Sequence, residues 1–380
     1  MFTGAEPDHE LSFAMAVSHI TPPLQPVTLA DYEAQSREKL EPGIWAYFSG
    51  GAADELTLRR NTEAWQSLEL WPRVLRPLTG GHTKLRLAGR ELAHPILLAP
   101  VAHQKLAHPD GELGSALAAA AQGAGYVLST QSSTPMEAIA SAVLDDPGRG
   151  PLWFQLYWQH DRAFNLALAQ RAQAAGYESL VLTADAPVSG ARDRERRSGF
   201  TLPTGMGSVH LQNLPAPSYQ PSETYCAGLP AHAPCWEDIA WLQERTPLPI
   251  WLKGVLHPQD ALQAKRLGVA GLIVSNHGGR TLDTAPTTTR ALPLIARALE
   301  GGLPLIVDGG IRRGTDVLKA LALGANAVLI GRPAMHGLAV DGALGVARVI
   351  RLLRDELEIA MALTGCRTLD EATPALLSPS

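Results

Sequence analysis

Eight short apolar runs, separated by stretches of helical character, constrain this chain more than any other feature. They fall at 96–99, 126–128, 152–156, 180–182, 250–252, 272–274, 305–307 and 327–330. Short runs that are apolar throughout read as parallel strands buried on both faces. Helical stretches lie between them, at 112–122, 162–175, 259–267, 289–300 and 315–323 among others. Several stop at a glycine, as at Gly123, Gly176, Gly268 and Gly324, which can turn left-handed without a Cβ penalty. Alternating strands and helices build βαβ units. Eight such units predict an α/β fold closed as a (β/α)8 TIM barrel. An open doubly wound sheet is the competing arrangement, but no Gly-x-Gly-x-x-Gly follows the first strand.

Two segments fall outside the pattern. Residues 1–60 form an expected N-terminal extension with helices, ahead of a barrel over 61–380. Thr28 and Asp31 have the spacing of a capping box, opening a helix through Leu40. Pro42-Gly43 breaks that helix, and a short second one ends at Gly50-Gly51. The other segment is a long loop after strand 4, residues 186–235, which carries seven prolines and no apolar period. Ordinary βα loops have about 2–6 residues, so this one is expected to be a lid-like insertion over the barrel mouth. A segment without fixed structure is the alternative reading.

Composition excludes several classes. With 46% hydrophobic residues the chain can bury a large core, and a net charge of −5 gives no electrostatic case for nucleic acid. The mixed-sign run Asp193-Arg194-Glu195-Arg196-Arg197 reads as a solvated face. No stretch approaches the ~20 apolar residues of an integral membrane segment. The apolar patch at 13–17 follows acids rather than Lys or Arg, unlike a secretory signal. Cys226, Cys235 and Cys366 have no metal-ligand spacing and are too few for a disulfide framework. Ordinary thiols, a cytoplasmic location and no metal are the resulting expectations.

In such barrels the active site lies at the carboxyl ends of the strands. The first strand ends in Pro100-Val101-Ala102, the second in Ser129-Thr130-Gln131, and the third carries Gln155 and Tyr157. The fourth runs into Thr183 and Asp185, with Arg192 beyond, and the fifth ends in Lys253-Gly254. The sixth ends in Ser275, His277 and Arg280. The seventh ends in Asp308-Gly309-Gly310 with Arg312, and the eighth in Gly331-Arg332-Pro333. Any one of these is commonly a turn residue or a solvated charge; polar groups at so many strand ends together mark a site. His277 can move a proton near neutral pH, and Arg280 is shaped to grip a carboxylate. Gly309, Gly310 and Gly331 with Arg312 and Arg332 form a phosphate cradle after strands seven and eight. These residues alone leave open a Schiff-base aldolase with Lys253 as nucleophile, or a non-catalytic phosphate-ligand module.

The motifs Ser275-Asn276-His277-Gly278-Gly279-Arg280, Trp251-Leu252-Lys253-Gly254-Val255, Phe154-Gln155-Leu156-Tyr157, Gly331-Arg332-Pro333 and Asp-Gly-Gly-Ile-Arg-Arg-Gly-Thr-Asp-Val from 308 resemble a known family. It is the FMN-dependent L-2-hydroxy acid oxidases and dehydrogenases, which include glycolate oxidase, lactate oxidase and mandelate dehydrogenase. The likeness runs from about Tyr32 to Cys366 with the motifs in order. It implies FMN at the barrel mouth, lined by Pro100, Val101 and Ala102. Ser129, Gln155 and Thr183 would hydrogen-bond the ring, Lys253 would sit at its N1 and O2 edge, and Ser275 would meet the ribityl side. Asp308, Gly309, Arg312, Gly331 and Arg332 would hold the ribityl chain and phosphate. The substrate is expected to be a small 2-hydroxy acid such as lactate. Arg192 and Arg280 would clamp its carboxylate with Tyr47, and Tyr157 would bond its hydroxyl region. His277 would be the base with Asp185 as partner, the carboxylate favouring the imidazolium. O2 is the expected acceptor, giving hydrogen peroxide, with a quinone as the alternative. A homotetramer is implied, and no haem domain. Gln131 departs from the aromatic residue of glycolate oxidase at a position that would face substrate.

Overall fold

The computed structural model describes residues 25–216 and 233–378. The apolar patch at 13–17, Cys226 and residues 217–232 of the long loop lie outside the described residues. Three helices precede the barrel: α1 (Leu29–Lys39), α2 (Pro42–Ser49) and α3 (Leu56–Ser67). The expected capping box opens α1, with Asp31 N donating to Thr28 Oγ1 at 3.1 Å and Thr28 N to Asp31 Oδ2 at 2.8 Å. Pro42 occupies the first turn of α2, where its missing N–H costs nothing.

A two-stranded antiparallel hairpin follows, β1 (Leu85–Leu87) and β2 (Arg90–Leu92). Then come eight parallel strands, β3 (Ile96–Leu98), β4 (Gly125–Leu128), β5 (Leu152–Leu156), β6 (Ser179–Thr183), β7 (Ile250–Val255), β8 (Gly271–Val274), β9 (Leu305–Val307) and β10 (Ala327–Ile330). They close in the order β10-β3-β4-β5-β6-β7-β8-β9. The outer layer is α4 (Gly111–Gln122), α5 (Met136–Val143), α6 (Arg162–Ala174), α8 (Trp236–Gln243), α9 (Pro258–Leu267), α10 (Thr288–Leu299), α11 (Gly314–Ala322) and α12 (Arg332–Thr364), while the short α7 (Asp193–Arg197) lies in the long loop after β6 and packs on α2. Helix α12 breaks at Asp341 and Gly342. Gly123 and Gly268 cap α4 and α9 at φ 69° and 75°. No helix among the described residues is long and apolar enough to cross a membrane.

Strand side chains alternate with period two, and this sets both the floor and the site. The inward residues Leu97, Val127, Trp153, Val181, Trp251, Ile273, Ile306 and Leu329 form one apolar layer, closed below by Leu87 and Leu92 of the hairpin. Burying each of these larger side chains contributes roughly 1.5–3 kcal/mol. Trp153 and Trp251 stack at 4.8 Å, and a Cβ at Gly271 would collide with the Trp251 ring. Two residues further along the same strands, the inward positions are Ser129, Gln155, Thr183, Lys253, Ser275 and Asp308, all buried. The barrel therefore carries a polar layer directly above an apolar one.

Candidate active site

The polar layer is cross-linked. Ser129 Oγ donates to Gln155 Oε1 at 3.2 Å, and Gln155 Nε2 donates to Thr183 Oγ1 at 3.0 Å. Lys253 Nζ lies 3.0 Å from Ser275 Oγ and 3.2 Å from Asp308 Oδ2. Burial alone would lower the Lys253 pKa, but Asp308, Asp185 and Tyr157 outweigh it and raise it above the ordinary value. The side chain is thus a buried cation.

Above it sits His277, at φ 55° on the turn after β8. Its Nδ1 lies 3.0 Å from Asp185 Oδ1, and Tyr157 OH lies 3.2 Å from its Nε2. Burial opposes ionisation of Asp185, but His277 and Lys253 bring its pKa below the ordinary carboxylate value. An ionised Asp185 only accepts, so Nδ1 carries the proton and Nε2 keeps its lone pair. Tyr157, whose pKa is raised by burial, donates to that lone pair. The His277 pKa is lowered, first by burial and then by Lys253, against Asp185. Asp185 does favour the imidazolium, as expected, but burial and Lys253 outweigh it in the resting site, so the imidazole is held neutral before a proton arrives.

The cationic wall follows. Arg280 Nη1 donates to Tyr47 O at 2.6 Å and Gly50 O at 3.0 Å, and its guanidinium lies 5.4 Å from the Tyr47 ring centroid. Phe200 stacks on the other side of the neighbourhood, 5.0 Å from the Tyr47 ring. Arg192 reaches Glu195 only at 3.4 Å, and its buried Nε has no partner among the described residues. Arg332 donates to Phe48 O at 3.1 Å, Gly278 O at 2.9 Å and Gly50 O at 2.7 Å. Its pKa is pushed well down by burial and by the charges of Arg280 and Arg312.

One cavity, open at its rim, joins these groups. Tyr47, Tyr157, Arg192, Lys253, His277 and Arg280 line it, together with Asp308, Gly309, Arg312, Gly331 and Arg332, and with Pro100, Val101 and Ala102. Ser129, Gln155, Thr183, Ser275 and Asp185 sit one layer behind and brace it. All the residues singled out from the sequence thus converge on one mouth. Sequence reasoning missed Asn61 and Trp65 of α3 and Glu112 of α4. Glu112 ties the loops after β3 and β4 by accepting from Gln104 N at 3.0 Å and Ser133 N at 2.8 Å. The only sequence signal for Asn61 is a poor helix former inside a helix.

The residues present fit a flavin mononucleotide. The guanidiniums of Arg280, Arg312 and Arg332 crowd one cavity, and Asp308, the one carboxylate among its described lining residues, is already balanced by Lys253. Such crowding calls for a bound anion. Gly309 and Gly310, at φ 93° and 89°, let backbone approach closely. Asp308 Oδ1 is buried without a partner among the described residues, an acceptor available to a ribityl hydroxyl.

Residues 36–379 match the model of the FMN-dependent dehydrogenases. The chain belongs to the FMN-dependent dehydrogenase family. It is 48% identical over 357 residues to an L-lactate oxidase of Roseobacter sp. (strain GAI101), covering 93% of this chain and 95% of that protein. It is 40% identical over 346 residues to the glycolate oxidase of Spinacia oleracea, covering 90% and 92%. A crystal structure of mandelate oxidase with (S)-2-phenylpropionate superposes with a TM-score of 0.84 at 40% identity, covering 93% of this chain and 98% of that one. As a member of the FMN-dependent dehydrogenases, this protein uses FMN as its cofactor.

Proposed function

We propose that this flavoenzyme oxidises a small, lactate-like L-2-hydroxy acid to the 2-oxo acid, with O2 reduced to hydrogen peroxide. The observation that carries this reading is His277, held at Nδ1 by Asp185 and lining a cavity that also holds Arg192 and Arg280. The 48% identity to an L-lactate oxidase supports the choice of substrate.

Arg192 and Arg280 take the substrate carboxylate, with the Tyr47 hydroxyl as a further donor. Charge-assisted hydrogen bonds of this kind contribute roughly 1.5–3 kcal/mol each. Tyr157 then bonds the substrate hydroxyl region in place of His277. His277 accepts the proton that leaves the substrate at Nε2, and Asp185, already bonded to Nδ1–H, stabilises the imidazolium. FMN, when bound, would supply a two-electron acceptor that O2 can regenerate. Pro100, Val101 and Ala102 would line its ring, and Ser129, Gln155, Thr183 and Ser275 would hold or brace it. Asp308, Gly309, Arg312, Gly331 and Arg332 would hold the ribityl chain and phosphate. Lys253 would supply positive charge beside the ring, favouring its anionic reduced form. A cationic Lys253 does not supply the neutral amine that a Schiff base needs.

In the same reading, residues 1–60 are an extension, 61–380 the FMN-binding barrel, and 186–235 a lid. A homotetramer in the cytoplasm completes the proposal. The test is anaerobic addition of L-lactate to purified enzyme, followed by admission of air. The yellow colour should bleach and then return with one peroxide per lactate consumed. Bleaching without peroxide on aeration would overturn the oxidase assignment, and a flavin that stays oxidised would overturn the substrate class.

A further inference from the structure

Asn61 sits inside α3 at 2% exposure, an unusual place for a residue that favours caps and turns. Its Nδ2 donates to Asn276 Oδ1 at 2.8 Å, and Asn276 Nδ2 donates back to Asn61 Oδ1 at 2.8 Å. Asn276 immediately precedes His277, and its own backbone oxygen closes the turn by accepting from Gly279 N at 2.9 Å. The second N–H of the Asn276 amide goes to Pro286 O at 3.1 Å. That bond fixes which way the Asn276 amide faces, and hence which way Asn61 must face. The same helix reaches the neighbouring turn, with Trp65 Nε1 donating to Gly309 O at 2.8 Å. A Cβ at Gly309 would lie 3.2 Å from both Asn276 Oδ1 and Asn61 Nδ2. The amide pair is therefore packed between the turn that carries the base and the turn assigned to the cofactor.

We propose that Asn61 is a positioning residue for His277. Its reciprocal amide pair with Asn276 sets where the imidazole stands relative to the Gly309 turn. This rests on the function proposed above. Both amides are buried, so an unmade bond is not replaced by water. Displacement of a reacting group by about 1 Å costs about 10²-fold in rate, and among the described residues no other side-chain hydrogen bond holds Asn276 from α3.

Asn61→Asp is the discriminating variant. An ionised carboxylate places oxygen against Asn276 Oδ1, whereas a protonated carboxyl reproduces the donor and acceptor pattern of the amide. Burial raises the pKa of such a carboxyl, so pairing returns as pH falls. In the holoenzyme, anaerobic flavin reduction by L-lactate should be slowed about 10- to 100-fold at pH 8. The ratio of variant to wild-type rate should rise towards one as pH is lowered. The KM for L-lactate should stay within about threefold, because Arg192 and Arg280 do not touch the pair. Flavin absorption and the unfolding midpoint are recorded in parallel. A wild-type ratio at every pH, or a deficit that is independent of pH, overturns the inference. If Asn61→Asp does not fold, Asn61→Ser serves: reduction slowed about tenfold with KM retained supports the proposal, and full speed overturns it. A wild-type enzyme that L-lactate does not reduce would instead refute the proposed function.

Discussion

Gly254 offers a way to perturb the base without touching it. The residue lies at φ 101°, in the irregularity between Lys253 and Val255 where β7 shifts register against β8. An added Cβ would overlap Asp185 Cβ and Cγ and come within 2.8 Å of its Oδ1. Ordinary carbon contacts are about 3.5–4.0 Å, so in Gly254→Ala the Asp185 side chain must retreat by about an ångström. The 3.0 Å bond to His277 Nδ1 then stretches beyond hydrogen-bond range. Loss of a hydrogen bond to a charged group costs about 1.5–3 kcal/mol, which converts to about 10- to 150-fold in rate. The unfavourable φ adds roughly 1–2 kcal/mol of lost stability. The assay is stopped-flow flavin reduction by L-lactate without air, on enzyme that retains its flavin. If the loss acts through Asp185, it should be largely absent in an Asp185→Asn background, because residues in one network are not additive. Wild-type reduction by Gly254→Ala, or full multiplication of the two defects, would refute the chain of reasoning.

Three other perturbations test separate parts of the site. The folded-state pKa of His277 is depressed by burial and Lys253, and the base must be neutral, so kcat/KM should be flat above pH ~6.5 and fall only as pH drops below it; an acid limb centred above that value would contradict the assigned charge state. Arg280→Lys must serve the carbonyls of Tyr47 and Gly50 with a single ammonium, so steady-state kinetics should show KM for L-lactate raised at least about tenfold, whereas an unchanged KM would remove Arg280 from the clamp. Lys253→Met leaves Asp308 buried without its partner, costing about 3–5 kcal/mol in denaturant unfolding; Lys253→Met with Asp308→Leu should recover part of that loss, and equal destabilisation of the two would argue against the pair.

The barrel was legible because its strands are buried on both faces, so each appears as an uninterrupted apolar run. The site was legible because of period two. A strand that places Val127 or Ile306 in the apolar layer must aim Ser129 or Asp308 into the layer above, and the polar letters stand out against their surroundings. Naming FMN, by contrast, needed the family resemblance, since glycines and arginines alone specify only an anion. The hairpin that closes the barrel floor was not visible. Its strands have three residues each, and its turn, Ala88-Gly89 at φ 49° and 79°, lacks the usual Asn-Gly or Asp-Gly letters. The mixed-sign run at 193–197 reads as a solvated face, and Arg196 and Arg197 are exposed, yet Arg194 turns back to pair with the largely buried Glu55.

What stayed hidden is of one physical kind. Asn61 and Asn276 are 215 positions apart, and no local pattern links them; only closure of the barrel and docking of α3 bring the amides face to face. The charge state of His277 is hidden for the same reason. Sequence shows that an Asp and a Lys exist, but the sign of the shift depends on how deeply the imidazole itself is buried and on the balance of the two charges beside it. Here Asp185 makes the direct bond, and still burial together with the Lys253 charge prevails. A base that is neutral before substrate arrives and paired with a carboxylate once it has taken a proton is therefore a property of the folded mouth. It follows that substitutions that displace Asp185 or admit water to this mouth, Gly254→Ala among the former, should change the chemistry more than their distance from the substrate suggests.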